Sequence, residues 1–417
     1  MTKKRIHTAA LSLAFVVFTL FAFPIYMMAQ QQTLESINQA LRYSRYSRLA
    51  LKIIPVREND RTFVLQMPIE KIEENIDFDT YEFAYALLSG FQDPIGPQNL
   101  ITLSKEDLIA DTDFHYFFEK RVEIPEDQEV AIAFLQATDT RQGDVYYYHV
   151  DLISAFVFGH PNFWAYYADR VPFDQTFVLK NEALEFKGRS GVNLHAFHYP
   201  TLFDAPLPPM EIRPANVPKE VTVNYEGEFF LNTPKSFDKE GYYFIQSDTN
   251  STSGMLVKTV HEAFPKVKTY EEMVEMVVYI STRREHEMLK EANDKKLALD
   301  QYWINMLKDE ETAKKVIREY FKQIEFANIL FTDFKEGWKT DRGMVYTVMG
   351  PPNEVFFRPN GEVWSYFSAD SNSKITFTFA RVKNILTPNY YILNRSRALQ
   401  PEWFKSITSW RNGQMVF

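Results

Sequence analysis

Gly337-Trp338-Lys339-Thr340-Asp341-Arg342-Gly343-Met344-Val345-Tyr346-Thr347-Val348-Met349-Gly350-Pro351-Pro352 is the stretch from which the C-terminal fold can be read. Thr340 or Asp341 offers the side-chain oxygen that the first turn of a helix needs for its unpaired N–H groups. Met344, Val345, Val348 and Met349 then recur at helical spacing on one face. Gly350 stands where a left-handed residue ends a helix, and Pro351 forbids another turn. Beyond Pro352 the texture changes to short apolar strands. Asn360-Gly361 is a hairpin signal joining a strand over 355–358 to one over 362–367, with 374–382 and 390–393 behind them. The expectation is a short helix laid on a small antiparallel sheet, an α+β unit over 332–417.

Within this unit most residues have an ordinary structural reading. Trp338 and Trp364 suit a core if each indole N–H finds an acceptor, and Asp341 suits a cap. Gly343 breaks the local rule, because glycine inside a helix costs about 1 kcal/mol relative to alanine unless something approaches its bare backbone. The functional alternative places Trp338, Asp341, Arg342 and Tyr366 around a groove for a peptide or glycan end.

Working back towards the N-terminus, 265–331 reads as a helical segment. Thr269-Tyr270-Glu271-Glu272 and Thr282-Arg283-Arg284-Glu285 are two capping boxes, in which the threonine hydroxyl accepts an orphan N–H and the glutamate reaches back. Val316, Ile317, Tyr320, Phe321 and Ile324 mark the apolar face of a further helix, with charges opposite.

Before Pro265 the periodicity is that of strands. The runs 49–56, 62–67, 81–88, 114–122, 129–136 and 145–152 are rich in β-branched and aromatic residues, and are separated by turn residues such as Asn59-Asp60 and Gly143-Asp144. They predict an antiparallel, immunoglobulin-like sandwich over 49–153. A second sandwich is expected over 154–264. It contains a loop over 200–218 with six prolines, which cannot be a central strand because proline lacks a donor. That loop reads as semi-rigid connection in preference to a docking peptide.

The first 29 residues combine the basic Lys3-Lys4-Arg5, an apolar run from Ala9 to Phe23 and a small residue, Ala29, before three glutamines. That is the pattern of a secretory signal peptide cut after Ala29. An uncleaved anchor is the alternative, and would be the chain's one membrane contact. Residues 30–48 read as a polar lead-in. The net charge of −9 argues against a nucleic-acid partner, which needs clustered Lys and Arg. With no cysteine there is no disulfide, thiolate metal site or cysteine nucleophile, and stability must come from burial, chiefly of the 36 Phe, 23 Tyr and 6 Trp.

Taken together, Gly337-Trp338-x-Thr340-Asp341, Arg342-Gly343-x-Val345-Tyr346 and Gly350-Pro351-Pro352, followed by Trp364-x-Tyr366, resemble the GWxTD domain family of bacterial envelope proteins. The resemblance covers roughly Pro265 to Phe417. It implies export in Gram-negative bacteria of the Bacteroidetes type and brings no established activity. The order of helix, Gly-Pro, strand and Trp-x-Tyr is also similar to the small lipoprotein of the outer-membrane barrel-assembly machine, which implies protein contact, although the lipid-bearing cysteine is missing here.

No pattern of side chains points to a reaction. His261-Glu262 and His286-Glu287 begin like a zinc-protease helix but lack the second histidine. His195 and His198, three apart on a strand, face opposite ways. Ser371-Asn372-Ser373-Lys374 lacks its companion motifs. Neither a metal nor a cofactor is expected. The expected function is an exported, non-enzymatic binding or scaffolding protein of the cell envelope with an envelope protein or glycan as partner. The alternative is a hydrolase, perhaps glycan-directed, that uses two carboxylates in an inter-domain cleft.

Overall fold

The computed structural model describes residues 32–74, 76–188, 191–212, 221–367 and 374–414. The expected signal peptide lies outside these residues, as does most of the Ser371–Lys374 string. The described chain is mostly β-sheet, in five sheets, with its α-helices towards the C-terminus. No helix among the described residues is long and apolar enough to cross a membrane.

The β-branched and aromatic runs after Leu49 form β1 (Leu49–Leu51), β2 (Ile54–Arg57), β3 (Thr62–Lys71), β4 (Tyr81–Leu88), β5 (Ile101–Leu103), β6 (Leu108–Asp111), β7 (His115–Glu123), β8 (Ala131–Asp139) and β9 (Val145–Ile153). One sheet runs β1-β3-β7-β6, with β2 also on β3, and the other runs β5-β4-β8-β9. Leu65, Met67 and Phe118 of the first meet Phe83, Ala133 and Leu135 of the second in one core. The inward residues alternate along β4, as a half-buried strand requires.

The second unit holds β10 (Phe163–Tyr166), β11 (Phe177–Leu179), β12 (Ala183–Gly188), β13 (Asn193–Tyr199), β14 (Asn224–Phe230), β15 (Pro234–Ser236), β16 (Gly241–Gln246) and β17 (Met255–Val260). Its sheets run β10-β12-β15 and β11-β17-β16-β13-β14, and share a core of Phe163, Phe186, Leu194 and Val257. One pairing, β11 with β17, is parallel.

Both capping boxes form as read. Thr269 caps α1 (Tyr270–Met276) and Thr282 caps α2 (Arg283–Glu291). They are followed by α3 (Lys295–Leu307), α4 (Glu310–Phe331), α5 (Asp341–Met349) and, beyond the sheet, α6 (Gln400–Arg411). The last was missed, and its Trp403 and Trp410 are buried. The C-terminal sheet is β18 (Glu354–Arg358), β19 (Gly361–Phe367), β20 (Lys374–Arg381) and β21 (Tyr391–Leu393), all antiparallel in sequential order. Because Arg358 pairs with Gly361, the two loop residues are Pro359-Asn360, and Gly361 already lies in a strand.

The lead-in corrects the reading of 30–48 as polar. Leu34, Ile37 and Tyr43 are buried in the same core as the helices, the C-terminal sheet, and Ala86, Leu88, Ile132 and Phe134 from the outer face of β4 and β8. Hydrogen bonds from Gln39 N to Val355 O (2.8 Å) and from Val355 N to Asn38 Oδ1 (2.9 Å) run this segment beside β18.

The proline-dense loop is equally tied down where it is described. Ser396 N donates to Pro209 O at 2.9 Å, Arg395 Nη2 donates to Leu207 O at 2.9 Å, and Phe203 packs edge-on to Phe334. Proline lacks an N–H to give but keeps its carbonyl, and two carbonyls of this loop accept from Arg395 and Ser396, just beyond β21.

Candidate functional site

The motif residues form a tightly bonded corner between α4 and α5. Gly337 N donates to Thr332 Oγ1 (3.0 Å), Trp338 N to Asn328 Oδ1 (3.2 Å), and Tyr279 OH to Trp338 O (2.7 Å). Thr340, and not Asp341, is the N-cap: its Oγ1 accepts from Gly343 N at 2.9 Å and donates to Gly337 O at 2.7 Å. A β-carbon on Gly343 would lie 1.8 Å from that same Gly337 oxygen, and one on Gly337 would lie 1.9 Å from Ala327 O. This close approach explains the glycine inside the helix. Gly350 ends α5 with φ +78°, the positive φ expected there, but its ψ of −166° is not that of a left-handed helical residue. The region it occupies is one that essentially only glycine enters.

Asp341 is a strut. Its Oδ1 accepts from Arg395 Nη2 at 2.6 Å, and its Oδ2 from Arg395 Nη1 at 3.1 Å and Leu393 N at 2.8 Å. Arg395 in turn holds Leu207, so one carboxylate ties α5, β21 and the proline loop together. Tyr366 OH donates to Gly350 O at 3.0 Å. Trp364 is fully buried between Tyr43, Phe331 and Phe379, and its indole N–H has no acceptor among the described residues. Pro351 and Pro352 lead from the helix into β18.

Trp338, Asp341, Arg342 and Tyr366, expected around a groove, are therefore buried and bonded to separate partners. Of the four, Arg342 lines the cavity that draws in every part of the chain. Its Nη1 pairs with Glu362 Oε1 at 3.2 Å, its Nη2 donates to Asn389 O at 2.9 Å, and its guanidinium lies 4.4 Å from the Tyr391 ring. Glu362 is fully buried, and its other oxygen accepts from Tyr43 OH at 2.9 Å.

That cavity, about 450 Å³, is the candidate site. It falls within the ~300–1,000 Å³ typical of small-molecule pockets. Its walls come from every part of the chain. The lead-in gives Arg42 and Tyr43, the first unit gives Lys52, Glu70 and Tyr148, and the second gives Trp164 and Asp174. The C-terminal part adds Asp333, Arg342 and the loop 384–389. None of the expectations from sequence named Arg42, Glu70, Asp174 or Asp333, because the cavity exists only where distant segments meet.

The charged lining is mostly compensated. Asp174 accepts from Tyr167 OH at 3.0 Å and stands 3.4 Å from His115 Nε2, while Lys52 Nζ donates to its backbone carbonyl. Burial pushes the Asp174 carboxyl up, but His115 and Lys52 outweigh it and hold it below its usual range. His115 is drawn down by burial, and the neighbouring carboxylates Asp174, Glu70 and Asp169 together more than reverse this. Glu70 is raised by burial and then by the charge of Asp174. Asp333 is pushed up to about 6 by burial, which Lys335 only partly offsets. Arg42 differs from all of these. It lies 4.1 Å over the Tyr148 ring and 5.1 Å from the Phe357 ring, yet its guanidinium has no hydrogen-bonded or ion-paired partner among the described residues.

The histidines stay apart. His195 Nδ1 meets Tyr225 OH at 3.1 Å, while His198 Nε2 meets Glu240 O at 2.9 Å. No three His, Asp or Glu side chains among the described residues are grouped to hold a metal.

No curated protein matches the chain. A family model does match, over residues 241–412, and it begins at β16, ahead of the Pro265 suggested by the motif alone. The corner built by Gly337, Trp338, Thr340, Asp341 and Gly343 thus lies inside a recognised unit, and the chain carries a GWxTD domain.

Proposed function

We propose that this is an exported, non-enzymatic binding protein of the bacterial cell envelope, periplasmic or secreted, whose ligand site is the cavity at the meeting point of its parts. The two double-sheet units are read as immunoglobulin-like sandwiches that serve, with the GWxTD domain, as walls. The supporting observation is Arg42, a cation without a polar partner at the side of a cavity lined by four separate stretches of chain. A guanidinium offers five donors, and here none of them is taken by a described residue, so they are open to an anionic group. Native mass spectrometry of the protein isolated from its own envelope fraction tests this. A bound species is expected, and it should be lost in Ile329→Trp, which adds bulk to the cavity lining from an exposed position of α4. A protein that carries nothing, and gains no thermal stability from envelope extract, would count against the reading. N-terminal sequencing of the same sample should begin at Gln30 if the leader is cut as proposed.

A hydrolytic reading draws on a different observation. Glu70 and Asp174 both line the cavity, with one carboxyl held above and the other below the usual range. Environments that push two carboxyls apart are how an acid and a base are assigned in many glycan hydrolases. Turnover of an envelope glycan, abolished by both Glu70→Gln and Asp174→Asn in folded protein, would establish it. Its absence across an envelope glycan panel would remove it.

A further inference from the structure

Resting on the cavity reading above, we propose that the ligand is a single-tailed amphiphile whose anionic head group is taken by Arg42. The first support is how the charged groups of the walls are partnered. Arg342 pairs with Glu362, Asp174 stands 3.4 Å from His115, and Lys52 is held by the Asp174 backbone carbonyl. Glu70 and Asp333 make no ion pair among the described residues, and burial raises both carboxyls. Arg42 is the cation on these walls whose guanidinium has no hydrogen-bonded or ion-paired partner among the described residues.

The second support is the rim. Ile72, Phe158, Ile329 and Ile385 all line the cavity, and all are exposed, between 39% and 51%. Single exposed apolar side chains are ordinary, but four on the lining of one cavity mark a surface that meets apolar material. Inside the mouth the wall continues through Leu51, Val150, Met255, Phe326, Leu330 and Leu386. A folded protein partner is far too large for the volume. An alkyl chain fits the wall and an acidic group fits its charged end. The rings of Tyr148 and Phe357 lie 4.1 and 5.1 Å from the guanidinium carbon and accept no hydrogen bond from it, so its N–H groups remain for two acceptor oxygens, the pairing that carboxylate and phosphate share.

The test is calorimetric titration of the mature protein with dodecanoate, dodecyl phosphate, dodecanol and dodecyltrimethylammonium, each below its micellar concentration. Both anions should bind, dodecanol should bind at least about tenfold more weakly, and the cation should not compete. The stronger of the two anions identifies the head group as carboxylate or phosphate. Arg42→Met, checked for folding by its thermal transition, should weaken the anions about tenfold and leave dodecanol unchanged, while Arg42→Lys should keep part of the preference. Acetate and inorganic phosphate should not displace dodecanoate. Equal binding of the anionic and cationic amphiphiles, or anion binding untouched in Arg42→Met, would overturn the proposal. If the species carried from the envelope is still lost in Ile329→Trp, the cavity reading survives that failure. If it is not, both fall.

Discussion

Gly343 and Gly337 face each other so closely that a β-carbon on Gly343 would lie 1.8 Å from the Gly337 carbonyl oxygen. The same oxygen accepts the Thr340 hydroxyl at 2.7 Å, and Thr340 in turn caps the helix through Gly343 N. The motif's spacing is therefore a geometric lock. The first glycine turns the chain against α4, the threonine starts the next helix, and the second glycine lets that helix return onto the first.

Gly343→Ala should consequently destabilise the protein by about 3 kcal/mol or more, although alanine is the better helix former by about 1 kcal/mol. Gly90, with nothing within 4 Å of the position a β-carbon would take, is the control, and Gly90→Ala should change stability by no more than about 0.5 kcal/mol. Urea unfolding of both variants checks this. A Gly343→Ala protein as stable as the parent would mean the close approach is not real.

The two adjacent polar motif residues should separate cleanly. Thr340→Ala loses a cap, about 1 kcal/mol. Asp341→Ala leaves the half-sheltered Arg395 guanidinium without its carboxylate and should cost about 3 kcal/mol. Arg395→Ala should do comparable damage, and the double variant should fall well short of the sum, since each change removes the same pair. Additive losses in a double-mutant cycle would show that the pair is not the reason for Asp341.

At Gly350 any side chain meets backbone strain. Gly350→Ala should cost about 2 kcal/mol, read from the denaturation midpoint, because φ +78° with ψ −166° is closed to other residues. Gly350→Asn should fare no better, and this distinguishes the conformation from a left-handed cap, which asparagine tolerates.

The pH dependence of stability carries a signature of Asp333. Its carboxyl titrates at about 6 when folded, against about 3.9 for an unperturbed aspartate. The folded state holds this proton more tightly, so the associated stability is complete below about pH 4 and is lost as pH rises through 6. Two pKa units bound that loss at about 3 kcal/mol. Asp333→Asn can still accept from Lys335 N and does not ionise. Its melting temperature relative to the parent should therefore climb between pH 4 and pH 7.5. A constant offset across that range would exclude the raised carboxyl.

Much of the local architecture was legible because short-range rules govern it. Capping boxes at Thr269 and Thr282, the stop at Gly350 and the strands of the C-terminal hairpin each depend on residues within a few positions of one another. The edges of these elements were less legible. Proline and asparagine took the loop ahead of Gly361, and α6 carries too few periodic apolar residues to stand out until Trp403 and Trp410 are seen buried. Asp341 was read as a cap because nothing nearby names Arg395, 54 positions away.

The sequence by itself determined the identity of the motif, the order of strand-rich and helical regions, and the glycines and threonine that the corner requires, since these follow from backbone geometry over single turns. Only the tertiary structure decided that the lead-in is buried, that Asp341 is a strut, and that Arg42, Glu70, Asp174 and Asp333 surround one cavity. Those residues lie scattered from 42 to 333, and what a charge does is fixed by the burial and by the partners that folding brings to it.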